Sequence, residues 1–507
     1  MDRKETRTLL KNALANVVRG SAAAVVAIVL PTFLTRLMVP TAFSAWSLVL
    51  QLGAYMGYLD FGIQTAVGRF VAHANERGDA EHRDRIASTS FAMLGLAGLF
   101  GLSGTLAVAL SLPHIFRQIP ATLISGSQIA LLLVGSSLAI GLPASVFNGI
   151  FIGYQRNEVP AAIIGGSRIL AAFLLVLVVA RGGGLAQMGA ATAAVNLASY
   201  GLQYFMYRRL APALQLSTRF ISRDAAGELF DYCLSLSVWS FAILLITGLD
   251  VVLVGYFQFD AVAPYAVAAS LITFLAGLQN AIFSAMIPST AVMHARGEPA
   301  ELGRVMITAT RYGTFLLLLA GLPLILFAPE VLTLWVGADY ATRGALILEV
   351  LVAANILRLA LTPYTVALIG SGQQRLVVFT PLLEGFTNLF VSIGLGYAFG
   401  AIGVAIGTLI GSLVGVLSNF VYNMPRTTGL RFGISDYLRD GLLRPAICGL
   451  PFVAFAIVIR RSDSFISITT GVSLVAVLAV TAFLVWRWGL VGSERKKLLA
   501  RHFAPQM

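Results

Sequence analysis

His73-Ala74-Asn75-Glu76-Arg77-Gly78-Asp79 has a partial copy later in the chain, His294-Ala295-Arg296-Gly297-Glu298, and its Arg-Gly-acid core recurs at an offset of 219 residues. Gly153-Tyr154-Gln155-Arg156 and Gly372-Gln373-Gln374-Arg375 stand at the same offset of 219. Two matches at one offset read as a duplicated unit. Almost everything between them is apolar. A membrane protein made of two like halves commonly keeps a binding site between them, as secondary transporters do.

The 507 residues are 58% hydrophobic and 11% charged, whereas a soluble domain carries about 25% charged residues. Long apolar runs recur from end to end and predict an all-α polytopic membrane protein with about 14 transmembrane helices, the first at 13–37 and the last at 465–487. The charged opening, Met1 to Lys11, followed by a long apolar run, does not read as a cleavable signal. Cys233 and Cys448 are the only cysteines. They lie in or beside apolar runs and read as packing residues rather than a disulfide pair.

The net charge of +12 follows topology rather than a nucleic-acid partner. With the N-terminus in the cytoplasm, 26 of the 35 Lys and Arg fall on the inside and 6 on the outside. That bias places both termini in the cytoplasm. The 219-residue offset covers six spans, an even number, so the halves share one orientation. Two pseudo-symmetric six-helix bundles are expected, at 1–224 and 225–425. Residues 426–507 add a short amphipathic interfacial segment, two further helices and a cytoplasmic tail. The outside loops are short, which disfavours a membrane-embedded glycan polymerase or ligase.

Several segments carry a family resemblance: Asn12 to Asn16 leading through Pro31 and Arg36 to Trp46; Leu59-Asp60-Phe61-Gly62-Ile63 with Val67-Gly68-Arg69-Phe70; Asp250 before Gly255-Tyr256-Phe257; and Gly372-Gln373-Gln374-Arg375 followed by Glu384, Asn388 and Gly400-Ala401-Ile402-Gly403. Together, over about residues 10–425, the chain resembles the oligosaccharide-lipid (polysaccharide, O-antigen) flippases of the multidrug/oligosaccharidyl-lipid/polysaccharide exporter superfamily. The resemblance implies a V-shaped pair of bundles, alternating access and a glycan on a polyprenyl pyrophosphate carrier. It also implies residence in the bacterial inner membrane and lipopolysaccharide or other polysaccharide biosynthesis as context. Candidate partners are membrane lipids and glycan polymerase or export machinery. The alternatives are a cation-coupled multidrug exporter and a lipid II flippase.

Flipping breaks no covalent bond, so no enzyme activity is expected. A head group needs polar partners in place of its lost hydration. Pyrophosphate favours arginine, whose planar fork binds two oxygens. The substrate-binding candidates are Arg19, with Asn16 one turn before it, together with Arg168 and Arg358. Asp60, Asp250 and Glu384 are candidates for ion coupling or charge pairing. Glu384 lies on a stripe Thr380, Glu384, Asn388, Ser392 at spacing four. Gly407, Gly411 and Gly415, also at spacing four, read as a close-packing face. A Walker loop, Cys-x-x-Cys and His-Glu-x-x-His are absent, and the histidines do not cluster. No metal site or cofactor is expected; H+ or Na+ are the candidate coupling ions.

Overall fold

The computed structural model describes residues 24–373, 378–461 and 468–489. Over these residues the chain is helical, without strands. The helices are α1 (Ala24–Leu37), α2 (Pro40–Ala54), α3 (Ile63–Arg77), α4 (Ala80–Ile115), α5 (Ala121–Gly153), α6 (Glu158–Ala180) and α7 (Leu185–Leu210). There follow α8 (Arg223–Ile243), α9 (Asp250–Phe257), α10 (Val262–Phe283), α11 (Ile287–Ala295), α12 (Pro299–Leu326), α13 (Ala328–Val336), α14 (Ala338–Leu359) and α15 (Thr362–Gly370). The series closes with α16 (Phe379–Ser418), α17 (Arg444–Arg461) and α18 (Ile468–Leu484). Where described, each expected span falls on helix. Eight stretches are long and apolar enough to cross a membrane, and a ninth forms if Arg223–Leu234 and Leu236–Gly248, bent by 45°, count as one.

Several spans are broken, and local sequence accounts for each break. Residues Tyr55–Asp60 tighten into a 3-10 turn after α2. Phe61 (φ 50°) and Gly62 (φ 80°) then adopt left-handed conformations, which restart the chain as α3. A Cβ on Gly62 would lie 2.8 Å from Leu236, so glycine also lets α8 approach. Span seven opens into a π turn at Leu244–Gly248 between α8 and α9. In α16, Gly400 (φ 60°, ψ −135°) folds the helix into two arms. The segment read as a separate interfacial helix is helical at Ile434–Asp436 and Tyr437–Leu443, and it runs on directly into α17. Its Tyr437 is fully buried, edge-on to Phe420 and tilted against Phe432.

The duplicated loops share backbone geometry. Gly78 and Gly297 are both left-handed, at φ 70° and 69°. The next residue donates back in each case, Asp79 N–H to Ala74 O and Glu298 N–H to Met293 O. For the second pair the equivalence is shifted. The left-handed residues are Gln155 (φ 55°) and Gly372 (φ 71°), 217 apart. Arg156 N–H to Phe151 O matches Gln373 N–H to Leu368 O at the same offset of 217. The sequence match at 219 therefore slips by two residues from the structural one.

The two ends of the molecule differ. One end carries the turns at 38–39, 116–120, 181–184, 258–261, 337 and 400. There a single apolar core joins Leu34, Trp46, Leu112 and Phe116 to Val254, Phe259, Tyr265, Leu332 and Tyr340. At the opposite end the buried apolar residues fall into separate clusters. One joins Val67, Ile86, Phe147, Tyr207 and Leu229; another joins Leu302, Met306, Tyr364, Leu368 and Tyr437. The end with the shared core is called the joined end and the other the divided end. At the divided end α8 makes the bridge, packing on α3 and α4.

Candidate functional site

The two arms of α16 build the centre of the second half. They fold back antiparallel about Gly400, and their spacing-four stripes meet in register. Gly407 packs on Ser392, Gly411 on Asn388 and Gly415 on Glu384. An added Cβ at Gly411 would lie 2.9 Å from Asn388 Cβ, and one at Gly415 would lie 2.7 Å from Glu384 Cδ. The polar stripe is consequently buried in a helix interface: Thr380 is 1% exposed, Asn388 1% and Ser392 0%. Close approach of small residues brings the backbones together, and the polar residues bond across the gap.

Three charges converge on this hairpin. Asp250 opens α9 just after the π turn and is 8% exposed. Its Oδ2 accepts hydrogen bonds from the Tyr265 and Thr408 hydroxyls, both at 3.1 Å. Glu384 is also 8% exposed. Its Oε1 is buried and accepts no hydrogen bond from the described residues. Arg358, half-buried near the end of α14, donates to Asn355 Oδ1 at 2.5 Å. Its helix, α14, packs against α16, which carries Glu384. Charges at this depth are costly and persist where they find partners. Two carboxylates and one guanidinium about the hairpin leave a formal surplus of one negative charge. A proton or small cation would balance it.

The π turn ties this cluster to the first half. In a π turn the i to i−4 ladder is interrupted, leaving carbonyls for other donors. The Asn388 amide donates to Ile246 O at 2.7 Å and Leu245 O at 3.4 Å. From the other side, Gln51 Nε2 and the Tyr55 hydroxyl donate to Gly248 O at 2.7 and 2.8 Å. Span seven is therefore held at its break by α16 on one flank and by span two on the other.

The structure describes two of the remaining sequence candidates, Arg168 and Asp60. Arg19 and Asn16 fall outside the described residues. Arg168 sits on an exposed stretch of α6 with Ile169 (56%) and Leu170 (48%). That helix packs on α7 and α5, away from Arg358. Asp60 is half-buried at the break in span two. Its Oδ1 accepts from the Ser145 hydroxyl at 3.2 Å and from Gln64 N–H at 3.4 Å, so it caps the start of α3. The described residues thus place Arg358, Asp250 and Glu384 about the α16 hairpin. Tyr265, Thr408, Gln51 and the π-turn carbonyls were not singled out in the sequence. The matched spacing of Thr380 to Ser392 and Gly407 to Gly415 around Gly400 is the signal that would have found Thr408. Among the described residues no group of three or more His, Cys, Asp or Glu is placed to hold a metal ion.

Comparison with known proteins bears on both fold and family. Residues 9–294 match the family model described as polysaccharide biosynthesis protein. No curated protein matches the sequence significantly. The fold is similar to that of the lipid II flippase MurJ in an inward closed conformation, with a TM-score of 0.70 at 12% identity, covering 95% of this chain and 99% of that one. It is similar to an inward-facing multidrug resistance MATE family transporter of the MOP superfamily, with a TM-score of 0.63 at 16% identity over 82% and 99% of the two chains. A MOP superfamily transporter from Pyrococcus furiosus gives 0.58 at 16% identity, covering 84% of this chain and 96% of that one. With the family model covering more than half of its length, the chain belongs to the polysaccharide biosynthesis protein family and has the fold of the MOP superfamily transporters.

Proposed function

We propose that this protein flips a polyprenyl-pyrophosphate-linked oligosaccharide across the bacterial inner membrane, from the cytoplasmic to the outer leaflet, by alternating access. The family match over residues 9–294 carries this reading. The halves at 1–224 and 225–425 are the moving bodies, and 426–507 accompanies the second. The joined end faces the outside and the divided end the cytoplasm, in keeping with the distribution of Lys and Arg. A shared core at one end and separate cores at the other are what a transporter open to one side requires.

The lipid tail need not enter the polar interior. An apolar groove of about 330 Å³ lies between α1 of the first half and α10 and α12 of the second, lined by Val25, Ile28, Leu271, Leu275 and Leu324. A tail can lie there at the seam while the head group is held inside. Arg358 and Arg168 are the phosphate partners proposed from the described residues, and Arg19 and Asn16 are proposed from the sequence alone. Asp250 and Glu384 would exchange H+ or Na+ as the driving ion, since their surplus charge favours occupancy by a cation.

That same surplus specifically favours a second reading, a cation-coupled exporter of organic cations. Deletion followed by analysis of lipid-linked intermediates separates the two. A polyprenyl-linked oligosaccharide held on the cytoplasmic leaflet supports the flippase. Unchanged glycans with new sensitivity to cationic dyes would refute it. Glu384→Gln should keep the fold yet remove the dependence of transport on the ion gradient; undiminished dependence would exclude Glu384 as the ion site.

A further inference from the structure

The shared core at the joined end is apolar and non-directional, but one side chain crosses the seam with directional bonds at both of its ends. Gln118 lies in the turn between α4 and α5 and is exposed. Its Nε2 donates to Phe257 O at 3.1 Å, and its Oε1 accepts from Phe259 N–H at 2.9 Å. One amide therefore grips the backbone of the α9–α10 turn on both sides of Gln258. Among the described residues this side chain makes no hydrogen bond to its own half. Its neighbours Phe116 and Ile119 are 2% and 5% exposed and anchor the turn in the core. Gln258 passes the grip on, accepting from Ala401 N–H at 3.1 Å, just beyond the fold in α16. At the structural offset of 217, at which Ala121 matches Ala338 and Gly153 matches Gly370, the position matching Gln118 is Trp335, which crosses the seam with a single bond from Nε1 to Ile28 O.

We propose that Gln118 is a latch that sets how readily the joined end opens. This rests on the alternating-access reading above. Any separation of the two turns breaks both bonds together. The side chain adds little to the folding of its own half, and its loss should therefore move the balance between closed and open forms rather than stability. Other bonds cross the same seam: Ala263 N–H to Ser44 Oγ at 3.0 Å and Trp335 Nε1 to Ile28 O at 3.0 Å. Both involve half-buried or buried side chains, Trp335 and Ser44, that also pack, so their removal would disturb more than the latch. Losing two ordinary exposed hydrogen bonds should raise the open population about tenfold, or about 1.4 kcal/mol.

The test is labelling of a cysteine at Ala261, a position 6% exposed within the shared core, by a membrane-impermeant maleimide applied from the joined end. Gln118→Met keeps the volume and removes both bonds, and Gln118→Ala serves if Met does not fold. Native Cys233 and Cys448 are buried and set the baseline. The expected result is labelling roughly ten times faster at an unchanged melting temperature, for two ordinary hydrogen bonds lost. A parallel strain carries cysteines at Arg77 and Arg296, at the divided end. Their cross-linking should speed up as the joined end opens. Unchanged labelling in a folded variant overturns the latch. Faster labelling without faster cross-linking keeps the latch and overturns alternating access.

Discussion

Gly411→Ala is the sharpest perturbation of the α16 hairpin. The new Cβ would stand 2.9 Å from Asn388 Cβ, 3.1 Å from its Cα and 3.2 Å from its backbone N. Carbon contacts settle at about 3.5–4.0 Å, and two of these three atoms belong to the backbone, so rotamer changes cannot relieve the clash. The arms must part by roughly 0.6–1 Å to reach that separation. Asn388 rides on the displaced arm, and its 2.7 Å bond to Ile246 O lengthens or breaks. Overpacking of this kind costs about 1–3 kcal/mol. Gly394 is the internal control, because it lies in the same hairpin, on the Asn388 arm, with nothing within 4 Å of its would-be Cβ. Gly394→Ala should be neutral or stabilising by up to about 1 kcal/mol, the usual helix-interior gain. Thermal unfolding in detergent and complementation of a deletion strain read both variants. Equal behaviour of the two alanines, or a Gly411→Ala protein as stable and active as wild type, would refute the packing account.

Arg358→Ala should abolish complementation, and Lys should rescue it only in part because it lacks the planar fork. In Arg358→Ala the hydrogen bond to Asn355 is lost too, which should destabilise by about 1–3 kcal/mol. A stable, active Arg358→Ala protein would contradict the cluster. Asp60→Ala should cost about 1 kcal/mol, the value of a helix cap, with flipping retained, and loss of flipping at normal stability would instead give Asp60 a functional role. Gly62→Ala, at φ 80° and 2.8 Å from Leu236, should destabilise by about 1–3 kcal/mol through backbone strain, measured by the same unfolding assay.

Much of the architecture was legible in the chain. Apolar run lengths located the helices, and the recurrence of Arg-Gly-acid marked equivalent turns, because a left-handed turn at Gly78 and Gly297 needs glycine in both places. The buried acids were legible too, since a carboxylate inside a span is rare enough to stand out. What the sequence concealed was direction. The stripe from Thr380 to Ser392 reads the same whether it lines a cavity or a helix interface, and only its pairing with Gly407, Gly411 and Gly415 decides for the interface. Arg168 and Arg358 look alike as lone arginines in apolar runs, yet one lies on an exposed stretch of α6 and the other is half-buried and bonded to Asn355. The π turn in span seven leaves no local signature beyond Gly248, because the bonds that hold it come from Gln51, Tyr55 and Asn388, remote in the chain.

The most direct measurement is leaflet exchange of a polyprenyl-pyrophosphate-linked oligosaccharide in vesicles containing the purified protein, followed with an impermeant glycan-oxidising reagent. Wild-type vesicles should expose the lipid of both leaflets to the reagent, and Arg358→Ala vesicles only the outer-leaflet share. Equal exposure with and without the protein, in vesicles that nevertheless move organic cations, would contradict the account.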